Sequence, residues 1–303
     1  MDTKNLTLAD ISSFNEEQAR AYFEAIRWPK GPDCAHCGSP RVTRLHGKST
    51  RPGVFNCNDC RKPFTVTVGT ILEDSHVPLR KWAIGFHMMC SSKKGYSAKQ
   101  LQRNLGLGSY KSAWHMAHRI RHAMSAGPLA ELLAGTVEVD ETFVGGKPRK
   151  GDRKVHKRGR GTSKTPVVAL VERHGDVRTR VVNSVDSKTL KAALQDNVSK
   201  DSCIMTDELH AYQRAVKGFK GGHLTVNHGL GEYSRDGVNT NTAESFFALL
   251  KRGVYGTFHS VSKQHLHRYC NEFSFRWNNR DVTDGERTQA AIQNAEGKRL
   301  SYV

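Results

Sequence analysis

The stretch VEVDETFVGGK, residues 137–147, changes the chain from helical spacing to a period of two. Val137, Val139 and Glu141 alternate with Glu138, Asp140 and Thr142, and Gly145-Gly146 closes the run, so it reads as a strand. Asp140 falls on the face opposite the two valines. Downstream, Val167 to Glu172 and Val177 to Val182 flank His174-Gly175-Asp176 as a hairpin, and Ser187 to Gln195 has helical spacing. Cys203 to Met205 reads as a buried strand that ends just before Asp207. A helix fits Thr242 to Arg252, stopped by Gly253, and a long one fits Lys263 to about Asn278. Strands followed by interleaved helices give an α/β class, a mixed sheet with flanking helices.

Upstream the pattern is different. Residues 76–126 are helical, with Pro78, Ser97 and Ser109 opening three helices and Gly106-Leu107-Gly108 turning between the last two, a helix-turn-helix rhythm. A first helix fits Phe14 to Trp28, opened by a Ser13/Glu16 capping box and ended by Pro29. The expected blocks are 1–65, 66–128, 129–280 and a tail 281–303.

Composition narrows the partners. The 303 residues are 37% hydrophobic and carry 47 Lys plus Arg against 29 Asp plus Glu, a formal charge of +18, which points to a polyanion such as nucleic acid. The longest apolar run, Val167 to Val171, is too short to span a membrane, and the N-terminus lacks a signal-peptide pattern. Cys34 and Cys37, then Cys57 and Cys60, form two CxxC pairs with residues 38–56 between them. That spacing brings four thiolates around one structural Zn²⁺ in a closed tetrahedral shell. Cys90, Cys203 and Cys270 lack such spacing and read as core fillers.

Two features suit a DNA surface. In the helix after Ser109, Ala113, Ala117, Ile120 and Met124 form an apolar stripe. Lys111, His115, Arg119 and His122 form a basic one, with Tyr110 and Trp114 at the exposed start. The bland alternative is a solvated helix face. The second feature is a basic arm over 145–164: Lys147, Arg149, Lys150, Arg153, Lys154, Lys157, Arg158, Arg160 and Lys164 against the single acid Asp152, a composition that neutralises phosphates or merely solubilises.

Three acids sit on separate elements. Asp140 and Asp207 lie at sheet level, where a carboxylate is costly unless paired or bound to a cation, although Asp207 equally suits a turn or N-cap. Glu244 lies near a helix start, with Lys251 two turns on, and Asn241/Glu244 also has capping-box spacing. Together the acids could bind two Mg²⁺ or Mn²⁺ ions, with Lys251 holding a phosphate.

VEVDETFVGGK, TDELHAY around Asp207 and NTNTAESFFALLKRGVYGTFH around Glu244 resemble the motifs of bacterial insertion-sequence DDE transposases, in the subgroup with an N-terminal zinc ribbon. The resemblance implies an RNase H-like catalytic domain with Asp140, Asp207 and Glu244 as the metal-binding acids and Lys251 as the trailing lysine. The interval of residues 208–243 between the last two acids matches the subgroup, and His259 falls in its GTFH pattern. It also implies a bacterial, cytoplasmic, nucleoid-associated enzyme. Such an enzyme cuts and joins double-stranded DNA at element ends and target, as at least a dimer. The rival readings are a zinc-ribbon DNA-binding regulator with an inert α/β domain, and an RNase H-like nuclease that cuts without joining.

Overall fold

In the computed structural model of the chain, which describes residues 3–127, 131–146 and 162–301, the expected helix of residues 14–28 spans Glu16–Arg27 and a short helix precedes it. Thr7 caps α1 (Leu8–Ser12), and Asn15 caps α2 (Glu16–Arg27) through a reciprocal box with Gln18. The expected Ser13/Glu16 box is therefore a correction. Glu16 instead accepts the backbone N–H of Leu79 at 2.7 Å and of Arg80 at 3.3 Å. These donors open α3 (Leu79–Ser91), where Pro78 offers no capping side chain.

Between α2 and α3 lies a small antiparallel sheet of β1 (Val42–Arg44), β2 (Phe55–Cys57) and β3 (Pro63–Phe64). Phe55 stacks on Phe64 with ring centroids 5.6 Å apart, and Trp28 meets both edge-on. After α3, Ser97 and Ser109 cap α4 (Ala98–Asn104) and α5 (Tyr110–Ala123) as expected, and Gly106 takes the left-handed φ of +56° at the turn between them. The expected apolar stripe of Ala113, Ala117, Ile120 and Met124 is buried.

Residues Ala126–Asn278 form a separate unit. Its sheet contains β4 (Thr136–Val144), β5 (Thr165–Glu172) and β6 (Val177–Val181), joined antiparallel; helix α6 (Ser187–Asn197) then crosses to β7 (Cys203–Thr206). Helix α7 (His210–Ala215) leads to β8 (His223–Thr225), and α8 (Asn241–Gly253) and α9 (Leu266–Asn278) follow. The strand order is β6-β5-β4-β7-β8, with β7 and β8 parallel to β4. This mixed five-stranded sheet flanked by helices is the RNase H-like arrangement expected.

Alternation decides which helix covers which face. Val137, Val139, Val168 and Leu170 pack with Leu190 and Leu194 of α6 and Tyr212 of α7. Val167, Ala169 and Val171 pack with Phe246 and Leu250 of α8 and Phe273 of α9. Each fully buried Val or Leu is worth about 1.5–3 kcal/mol relative to exposure, and a slip of one residue in β4 would set the acids in place of the valines against α6 and α7. Gly253 does not stop α8 as expected; the chain winds on through a wide π-type turn, Val254–Phe258, and ends at His259 with φ +60°.

The segment expected as a tail from 281 is a further correction. It forms α10 (Asp284–Gln293), opened by a Thr283/Glu286 capping box, which packs on α3 and α2 and buries Ala291 and Ile292. The described residues up to Ser125 and those from Asn279 onward are thus one unit, with no division at residue 65. Among the described residues, no helix is long and apolar enough to cross a membrane.

Candidate functional site

The parallel pairing of β4 and β7 sets Thr136 opposite Cys203, Val137 opposite Ile204 and Glu138 opposite Met205. Carried two residues further, the same register sets Asp140 opposite Asp207, just past the carboxyl end of β7. A chain reversal follows there: Asp207 Oδ1 accepts the Leu209 N–H at 3.0 Å. Helix α7 is capped at Leu209, so of the two bland readings of Asp207 the turn holds and the N-cap does not.

Asp140, Glu141 and Asp207 bring one carboxylate oxygen each within 4.8 Å of one another. Glu244 is not in that trio. It lines the same cavity of about 310 Å³ with Asp140, Glu141, Thr142, Phe247, Ala248 and Lys251. On α8, Glu244, Ala248 and Lys251 are spaced i, i+4 and i+7 along one face, which puts the lysine ammonium on the cavity with the acids. Glu244 also lies 3.8 Å from His228 Nε2, whose ring packs on Tyr233.

Burial, then the neighbouring carboxylates Glu141, Asp207 and Glu244, push the Asp140 carboxyl up to about 7, opposed by the Glu141 N–H that it accepts. Glu141 turns to the other face, where its Oε2 accepts the buried Tyr212 hydroxyl at 2.8 Å; burial raises that phenol well above its ordinary value. These converging carboxylates form an all-oxygen donor set that suits a hard divalent cation. Asp140, Asp207 and Glu141 could hold one, with Glu244 across the cavity.

Glu141 and Glu138 flank Asp140 in the sequence and are the residues most easily confused with it. Glu141 joins the acidic trio. Glu138 is fully buried on the face Asp140 shares, and it receives the Thr242 and Ala243 N–H groups at the start of α8. The Asn241/Glu244 capping box is therefore absent: Thr240 is the N-cap residue, with no side-chain bond, and Glu138 serves instead. The period of two joining Glu138 to Asp140 was the available signal.

In the first unit, Cys34 Sγ lies 3.6 Å from Cys60 Sγ and Cys37 Sγ 3.6 Å from Cys57 Sγ, with all four within 4.8 Å. Thiolates about 2.3 Å from a tetrahedral zinc stand about 3.8 Å apart, so the tetrad fits a zinc ribbon. The backbone N–H of Cys60, directed at Cys57 Sγ, helps hold that thiol down to about 7, toward the ligating thiolate. Cys90 and Cys270 are buried as expected, while Cys203 is half-buried.

The expected basic stripe on α5 is corrected at Arg119. Its guanidinium is buried, donates to the Glu73 carbonyl and lies 5.7 Å from the Trp82 ring centroid, so it ties the helix to its own unit. His115 and His122 are half-buried, and Lys111 and Tyr110 are exposed. The helix packs on more than one side, which narrows the solvent face. The arm residues Lys147, Arg149, Lys150, Arg153, Lys154, Lys157, Arg158 and Arg160 lie outside the described residues.

Comparison with known proteins adds the following. Residues 132–278 match the ISXO2-like transposase domain, and residues 14–63 the transposase zinc-ribbon domain. The chain is 30% identical over 273 residues to an uncharacterized protein in transposable element ISH50 of Halobacterium salinarum, covering 86% of this chain and 90% of that one. It is 29% identical over 107 residues to an uncharacterized transposase-like protein of Haemophilus influenzae, covering 35% of this chain and 84% of that protein.

Proposed function

This chain belongs to the ISXO2-like transposase family, and from that premise we propose that it cuts DNA at the ends of its own element and joins the freed 3′-OH to target DNA. The observation that carries the proposal is the register that sets Asp140 beside Asp207, with Glu244 and Lys251 on the same cavity. A divalent cation of the magnesium or manganese kind, held by these acids, would supply charge at the attacking and leaving oxygens.

The protein's own part is positioning. Asp140 on β4 and Asp207 just past β7 lie side by side, with Glu244 of α8 across the cavity, so negative charge is largely in place before substrate arrives. Lys251 sets an ammonium where a non-bridging phosphate oxygen of the scissile strand would lie. In cleavage, water attacks phosphorus and the 3′-oxygen departs as a hydroxyl. In joining, that hydroxyl attacks a target phosphodiester, so one bond forms as another breaks and no covalent enzyme intermediate is needed.

End recognition falls to the zinc ribbon and the exposed part of α5 around Lys111, and the basic arm of residues 145–164 holds the DNA backbone. Two element ends call for at least two protomers. Replacing Asp140, Asp207 or Glu244 by the matching amide is expected to leave end binding intact and abolish joined products. Joining retained in any one variant refutes that assignment. Magnesium-dependent nicks without joined products would support a nuclease, and end binding without nicks a regulator.

A further inference from the structure

Four donors converge on one carboxylate beside the proposed metal centre. Glu138 is fully buried on β4, two residues before Asp140 and on the same face. Its Oε1 accepts from Arg173 Nε at 2.8 Å and from the Thr242 hydroxyl at 2.9 Å. Its Oε2 accepts from the backbone N–H of Thr242 at 2.8 Å and of Ala243 at 3.1 Å. Arg173 uses its remaining nitrogens on the carbonyls of Gly237 at 2.8 Å and Asn239 at 3.2 Å, in the segment that leads into α8. Thr242 and Ala243 are the two residues directly before Glu244.

We propose that Glu138 and Arg173 are positioning residues that lock the start of α8 to β4 and so hold Glu244 in place across the cavity from Asp140. The inference rests on the metal-centre reading above and deepens it. A buried ion pair is poor grounds for claiming stability, since an apolar pair of similar volume often does as well, but it fixes geometry where its donors are all satisfied. Only a carboxylate accepts from all four donors. A glutamine keeps one accepting oxygen and would turn its N–H groups either against Arg173 or against the helix N-terminus. The carboxylate also meets the positive end of the α8 dipole, which a neutral side chain does not answer.

The test is Mn²⁺ binding to the full-length, zinc-loaded protein by calorimetry, without DNA, together with thermal melting. Glu138→Gln is expected to weaken Mn²⁺ binding about 10- to 100-fold, as loss of groups that orient metal ligands does. Arg173→Lys, a milder change that guards against a misfolded Gln variant, should weaken it less. In a Glu244→Gln background the Glu138→Gln change should add no more than about twofold, because its effect passes through Glu244. Unchanged affinity in Glu138→Gln, or an equal loss with and without Glu244, overturns the clamp while leaving the metal centre standing. If the parent binds no Mn²⁺, or Asp140→Asn binds as well as the parent, the metal-centre reading falls and the clamp falls with it.

Discussion

Converging carboxylates cost the cation-free protein stability, and that cost is measurable at Asp140. Its carboxyl is pushed up to about 7 in the folded chain, against an ordinary value of 3.8. A folded-state value above the unfolded one means that the protonated form favours folding: the contribution is full below the unfolded value and is lost as pH rises through 7. A difference of about 3 in pKa corresponds to about 4 kcal/mol at pH 8 as an upper bound. Asp140→Asn removes this charge yet keeps an oxygen able to accept the Glu141 N–H now 2.8 Å from Oδ1, so most of the gain should survive. We therefore expect the variant to be more stable than the parent by about 2–4 kcal/mol at pH 8 without magnesium or manganese. For a unit of this size that means a rise of roughly 4–16 °C in the melting of the sheet-bearing unit. The advantage should shrink toward nothing near pH 4. Added Mg²⁺ should raise the parent's melting temperature and leave the variant's unmoved. The assay is calorimetric melting of the full-length zinc-loaded chain at several pH values. An Asn variant that melts at or below the parent at pH 8 would refute the reasoning, since burial and the neighbouring acids would then not penalise the Asp140 charge in the fold.

Further outcomes follow from other parts of the molecule. Cys57→Ser should leave the protein without its bound zinc, read by metal release to a chromogenic chelator, and should abolish end binding. Lys111→Ala should weaken end binding, lower the salt dependence of log K by about one phosphate contact and leave melting unchanged. Arg119→Ala should instead destabilise by about 1–3 kcal/mol, through its lost bond to the Glu73 carbonyl and lost packing on Trp82, with the salt slope intact. Gly221→Ala would set a methyl carbon 2.4 Å from the Ser202 backbone, and should cost about 1–3 kcal/mol of stability by denaturant titration.

The sheet was legible because its alternation is strong: Val137 and Val139 against Glu138 and Asp140 define two faces in the sequence itself, and the structure keeps both. The cysteine tetrad was equally legible, since CxxC spacing fixes which thiols can meet. Tertiary capping was not. Glu16 and Glu138 each cap a helix distant in sequence, and local spacing assigned their neighbours to that work or sent them elsewhere. Arg119 shows the same limit from another side: a helical wheel gives one apolar stripe, but α5 is covered on more than one side, and a long cation with a carbonyl partner can be buried there. Helix α10 is hard to read because its buried face is Gly285, Thr288, Ala291 and Ile292, of which only Ile292 is a large apolar side chain, so it gives little contrast in hydrophobicity.

The most direct measurement is anomalous scattering from a crystal of the full-length protein soaked in Mn²⁺. The account predicts a manganese peak within coordination distance of carboxylate oxygens from both Asp140 and Asp207, on the cavity side that faces Glu244 and Lys251. A peak held elsewhere, or none beside that pair at saturating Mn²⁺, contradicts it.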